Sequence, residues 1–179
     1  EAILEKKLNT DGVMPDISYL LVKTYLEQDK VEEVKDFISK YKLSDSPESD
    51  PLDRITYARY LLQKGDKAGA DAIFNSILEN KKNRKNPSLL MAMAEVNISE
   101  PKGDASLALE WLKMAADKDD DNPSIFILEG LAYRKLSDAS KAYLAYQQAL
   151  KKDKNNVKAH YLLGKIFTAQ KNSEVYLEH

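Results

Sequence analysis

The chain contains no cysteine. Disulfides, thiolate metal sites and cysteine nucleophiles are therefore excluded. Glycine and proline number only 6 each in 179 residues, so backbone breakers are too sparse for a many-stranded sheet with tight turns, and long helices are favoured. There is 1 Trp and there are 2 His. No apolar run approaches the roughly 20 residues that span a bilayer, so direct membrane insertion is not expected, and no signal-peptide pattern is present. Neither charge sign dominates: 27 cationic and 29 acidic residues give a net charge of −2 and a pI of 5.8. A nucleic-acid binder usually carries a basic excess, so nucleic acid is not an expected partner. Apolar residues make up 43% and charged residues 31%, the composition of a globular domain rather than a disordered chain.

Reactive constellations are equally scarce. No Ser–His–acid set, phosphate loop or zinc pattern occurs. His160 falls on an apolar periodic face and is expected to pack in a core; His179 lies at the end of the chain. Gly65, Gly69 and Gly103 read as turn or packing glycines. Asp117, Asp119 and Asp121 have the alternate spacing of a calcium loop, but Asn122 stands where glycine is needed and Leu128 where the bidentate Glu belongs. A polar turn is the better account. Asn97-Ile98-Ser99 is a glycosylation sequon inside a helical pattern and is read as chance. No cofactor and no catalysis are expected.

Positively, the chain is organised around Asn122–Asn156. Phe126, Gly130 and Tyr133 recur at helical spacing, then Ala142, Tyr146 and Ala149, and together they describe two helices joined by a tight turn. His160, Gly164 and Phe167 repeat the first trio 34 residues later, and Ala108, Leu112 and Ala115 anticipate the second trio by the same 34. That period marks a helical-hairpin repeat, in which no single hairpin can bury its own apolar face.

Read in order, Glu1–Leu8 is a helix closed by Gly12 in a left-handed conformation. Helices then follow over 15–28 and 31–41, the second with the stripe Val31, Val34, Phe37, Ile38 and Tyr41. Ser44–Asp50 is a polar connector; its serines invite a phosphoacceptor reading, but connector suffices. A helix over 53–64 leads into a Gly65-Asp66 turn and a second helix carrying Ala70, Phe74, Ile77 and Leu78, and a basic Asn-rich connector runs from Glu79 to Asn86. Pro87 opens the next helix, Pro101 ends it, and Gly103-Asp104 repeats the Gly65-Asp66 turn. Pro123 heads the organising hairpin. A half-repeat covers 157–170, and a second helix is expected from Asn172. Ala70, Ala108, Ala115, Ala142, Ala149, Gly130 and Gly164 are expected where helices cross closely.

These residues resemble the tetratricopeptide repeat over about 15–170. The repeats are placed at 15–50, 51–88, 89–122 and 123–156, with a half-repeat at 157–176. Val34, Val22 and Val96 stand where a smaller residue is usual and Glu129 where an apolar one is, so the array departs from the consensus. Leu177-Glu178-His179 resembles the start of a tag scar and is set aside. The rest of 1–176 is expected to be one array excised from a longer protein, with any signal, anchor or catalytic domain outside it.

The resemblance implies an all-α, right-handed superhelix whose concave groove binds peptides. Its register puts Tyr19, Lys23, Ile55, Arg59, Met93, Asn97, Ile127, Leu131, Arg134, Tyr161 and Lys165 on that groove, with Asp16, Glu100 and Lys158 at its edges. Five cations against two anions, among apolar anchors, suit a protein segment carrying carboxylates. The co-chaperone clamp of Lys, Asn and Arg is absent: Tyr19, Lys23, Thr56, Ser124 and Leu128 occupy its places. The expected function is a non-catalytic scaffold holding a protein or peptide partner. Two alternatives stay open, the accessory region of a larger enzyme or envelope protein, and self-association through the end helices.

Overall fold

The computed structural model describes residues 14–177. The expected helix Glu1–Leu8, Gly12 and the final two residues lie outside them. Every described element is helical: α1 (Pro15–Glu27), α2 (Val31–Tyr41), α3 (Pro51–Gln63), α4 (Lys67–Glu79), α5 (Pro87–Ser99), α6 (Ala105–Ala116), α7 (Pro123–Lys135), α8 (Ala139–Lys152) and α9 (Val157–Leu177), with one 3-10 turn at Asn83–Lys85. The fold is all-α, as the hairpin period requires.

Local chemistry sets the helix starts. Pro15, Pro51, Pro87 and Pro123 each open a helix, where the missing N–H costs nothing. Met14 before Pro15 makes no side-chain cap, but at most other starts the preceding Asp or Asn caps the free amides. Asp50 accepts from Leu52, Asp66 from Gly69, Asp104 from Ser106 and Leu107, Asn122 from Ser124, and Asp138 from Lys141. Asn86 and Asn156 do the same for α5 and α9. Each such cap contributes about 1 kcal/mol. Three hairpin turns place one residue in the left-handed region, Asp29 at φ 58°, Gly65 at 85° and Ser137 at 62°. Gly103 departs from its expected likeness to Gly65, because Gly65 is the sole described glycine with positive φ. Here Pro101 ends α5 first, and the Asp104 amide is caught by the Asn97 side chain at 2.8 Å.

The chain forms two compact units: the described residues through Arg84 together with Ser99–Gly103, and Lys85–Ile98 together with Asp104 onward. In the first, Leu21, Val22 and Tyr25 of α1 meet Val34, Phe37 and Ile38 of α2, with Tyr57 and Tyr60 of α3 packed against them. In the second, Ala142, Tyr146 and Ala149 of α8 join Ile127 of α7 and Ala159, Leu162 and Ile166 of α9. The small residues behave as close packing demands, with Ala70, Ala108, Ala115, Ala142 and Ala149 wholly buried. A β-carbon built on Gly130 would collide with the Tyr146 ring, with Cδ1 at 2.5 Å.

The end of the chain departs from expectation. His160 is exposed rather than packed, with Nε2 2.9 Å from the Lys154 carbonyl oxygen. Gly164 is exposed with nothing within 4 Å of its built β-carbon, and Phe167 is 55% exposed. Gly130 is covered by α8, and no described helix covers Gly164 in the same way. The turn expected before Asn172 does not form either: α9 runs on as a single helix of 21 residues. Residues 168–174 have neither a Gly as at Gly65 nor a Pro as at Pro101.

Candidate functional site

The eleven groove positions do not all reach a surface. In the first unit, Ile55 is 0% exposed and Arg59 1%. Arg59 lies on α3, and its Nη2 donates to the Tyr19 hydroxyl at 3.1 Å. Its guanidinium carbon stands 4.7 Å from the Tyr19 ring centroid, and Glu100 Oε1 lies 3.5 Å from its Nε. Glu100 is itself buried, not at an edge, and Tyr19 is buried too. So Arg59 is half of a buried ion pair held over an aromatic face, not a free groove cation. Lys23 is half-buried beside it, where Lys23, Glu27, Arg59, Gln63, Ser99 and Glu100 line a cavity of about 300 Å³. Two cations and two anions balance there, which gives no net pull on an acidic ligand. Asp16 is exposed on α1.

In the second unit, Met93 and Asn97 are fully buried and Ile127 is core. Asn97 is structural. Its side chain donates to the Met93 carbonyl at 3.2 Å and accepts from the Asp104 amide, while its own carbonyl accepts from Lys135 Nζ at 2.8 Å. The accessible positions are Leu131 and Arg134 on α7 and Tyr161, Lys165 and Lys158 on α9. Tyr161 is 61% exposed, and Lys165 Nζ stands 5.2 Å from its ring centroid. Leu131 packs against the buried cluster that α8 builds with Ile127 of α7 and with Leu162 and Ile166 of α9.

The acidic turn before α7 is crosslinked rather than open. Asp121 and Asp120 take Lys152 at 3.0 and 4.0 Å, and Asp119 accepts from Asn122 at 2.9 Å.

The comparisons with known proteins bear on this repeat. Residues 130–171, which run from Gly130 through α8 into α9, match the family model described as TPR repeat. Residues 130–171 are a tetratricopeptide repeat. The TPR match covers the strongest part of the 34-residue period. No curated protein matches the chain. Among solved structures, the crystal structure of the APC/C hetero-tetramer Cut9-Hcn1 is similar over 95% of this chain, at 17% identity and a TM-score of 0.44; the likeness spans 39% of that chain's length. TPR repeats suggest a scaffold for protein interaction.

Two groups escaped the sequence reading. Arg54 occupies the register position of Phe126 and His160, and a charge on that stripe was the available signal. Asp53, at the third position of α3, has its pKa raised to about 6 by burial and, second, by the Asp50 charge. One of its oxygens is buried without a hydrogen-bond partner. An unfolded Asp ionises near 3.9. The folded state therefore holds its proton to higher pH, and this favourable contribution is lost as pH rises from about 4 through about 6. Asp53→Asn should remove that slope and raise stability at pH 7 by about 1 kcal/mol after solvent screening, with the difference gone at pH 4. Urea midpoints at the two pH values check it.

Burial also raises the Glu129 pKa, as fits a carboxyl at a normally apolar TPR position.

Proposed function

We propose that the protein is a non-catalytic scaffold that holds an acidic segment of a partner protein against the α7–α9 side of the second unit. The observation that carries this is the exposed Tyr161 with Lys165 over its ring, on a helix whose buried face joins the cluster that Leu131 packs against. Arg134 and Lys158 add exposed positive charge. An amphipathic aromatic face with cations suits apolar anchors interspersed with carboxylates. Lys23 is the accessible cation of the first unit's smaller candidate site, where Ile55 and Arg59 serve the interior.

The test is an array of labelled peptides, acidic and charge-neutral, read by fluorescence anisotropy. Acidic peptides should bind with an affinity that falls with salt. Arg134→Glu with Lys165→Glu should weaken them about tenfold or more with an unchanged circular dichroism spectrum. Equal affinity in the double variant would mean the ligand lies elsewhere. Arg59→Glu is unsuited to this test, because it places two carboxylates in one buried site.

A second reading, self-association through α9, is supported by its uncovered face, where Val157 is 81% exposed and Gly164 is open. Sedimentation over a range of concentrations separates the two: a mass that stays constant removes self-association, and one that rises and is reset by Phe167→Glu supports it.

A further inference from the structure

Arg54 is a buried cation without a counter-ion. It is 5% exposed. Its Nη2 donates to Ser76 Oγ at 2.9 Å, and its Nε is buried with no hydrogen-bond partner. Among the described residues no carboxylate lies within ion-pair distance of it. The adjacent Asp53 does not serve: what moves its pKa is burial and Asp50, with no compensation from Arg54. Contrast Arg59, equally buried on the same helix but matched by Glu100. Buried charges are normally paired, because an unpaired one loses its hydration with nothing in return.

Arg54 also lines a cavity of about 410 Å³ between α3, α4 and the 44–50 connector. That volume is within the range of small-molecule sites. Its walls are chiefly Tyr57, Leu61 and Ile73, with Pro47 from the connector. Asp45 and Asp66 line it too, but both are exposed, and the Asp66 carboxylate already caps Gly69. Positive charge is thus buried and negative charge solvated. An anion held by Arg54 and Ser76 would gain the two donors that a guanidinium presents side by side. A dianion would be opposed by the two aspartates.

We propose that this cavity binds a monoanionic organic carboxylate with a compact apolar body, its carboxylate on Arg54 and its body against Leu61 and Ile73. None of the residues assigned above to the partner surface takes part. Whether the carboxylate comes from a free molecule or from the side chain of a docked peptide is decided by the probes.

The experiment follows the Arg54 Nε–H resonance of the whole chain during titration with phenylacetate, with benzyl alcohol, with inorganic phosphate and with the capped dipeptide acetyl-Phe-Asp-amide. Phenylacetate is expected to shift that resonance saturably, and benzyl alcohol and phosphate to do so at least about tenfold more weakly. Binding by the dipeptide as well as phenylacetate identifies a peptide source; binding by phenylacetate alone identifies a free one. Arg54→Met, with a wild-type circular dichroism spectrum, should lose about tenfold or more in phenylacetate affinity, read by saturation-transfer NMR. If Arg54→Met fails to fold, the wild-type titration stands on its own. Absence of a saturable shift, equal binding of benzyl alcohol, equal or tighter binding of phosphate, or unchanged affinity in Arg54→Met overturns the assignment.

Discussion

Glu100→Ala should lower stability by about 3–5 kcal/mol, the cost of stranding one member of a buried ion pair. Glu100 and Arg59 have side chains 7% and 1% exposed, so water only partly replaces the carboxylate that the guanidinium loses. The Tyr19 hydroxyl and ring remain, but a neutral acceptor and a ring face replace only part of what an anion supplies. Removing both charges is a different experiment. Arg59→Met with Glu100→Met exchanges the pair for apolar side chains of similar reach and should stay within about 1–2 kcal/mol of wild type, because neither charge then needs to be desolvated. Urea unfolding followed by circular dichroism measures both variants. A repeat array can unfold in parts, so amide exchange in α1 and α3 should report the loss in the first unit. A single variant within about 1 kcal/mol of wild type would mean that the pair is solvated in solution and that Arg59 is open to a ligand after all.

The same pair shows where the sequence could be read and where it could not. Helix positions were legible because each is over-determined. Pro15, Pro51, Pro87 and Pro123 mark starts, Asp and Asn precede helices as caps, and Ala recurs where backbones approach. Repeat register then assigns each residue to a class of position. Register is not depth, however. Arg59 shares its register position with Leu131 and Lys165, yet it is buried because Tyr19 and Glu100 converge on it from other segments. Asn97 likewise sinks to hold the turn before Asp104. Spacing carries no information on which distant segment arrives, so Ile55, Met93, Asn97 and Arg59 were grouped with Tyr161 and Lys165, which do face solvent. Arg54 was the converse case: its charge on an apolar stripe was visible, but its lack of a partner is a fact of three dimensions.

Gly130→Leu should lower the melting temperature and Gly164→Leu should not, although the two glycines hold the same register position. At Gly130 the first added atom collides with the Tyr146 ring, with Cδ1 at 2.5 Å and Cζ at 2.7 Å. Tyr146 is wholly buried, so the ring cannot swing out to make room. Overpacking of this kind costs about 1–3 kcal/mol and at times more, and an isobutyl group is near the upper end. Leucine's better helix propensity returns less than about 1 kcal/mol. The net loss, about 2 kcal/mol or more, corresponds to roughly 4–8 °C for a chain of this size. At Gly164 the added atom meets nothing within 4 Å. The propensity gain then stands alone, and the melting temperature should hold or rise by about 2 °C. Calorimetry on the two variants decides it. A loss at both positions would mean that α9 acquires a cover in solution, and the dependence of that loss on protein concentration would tell whether the cover is a second copy of the chain.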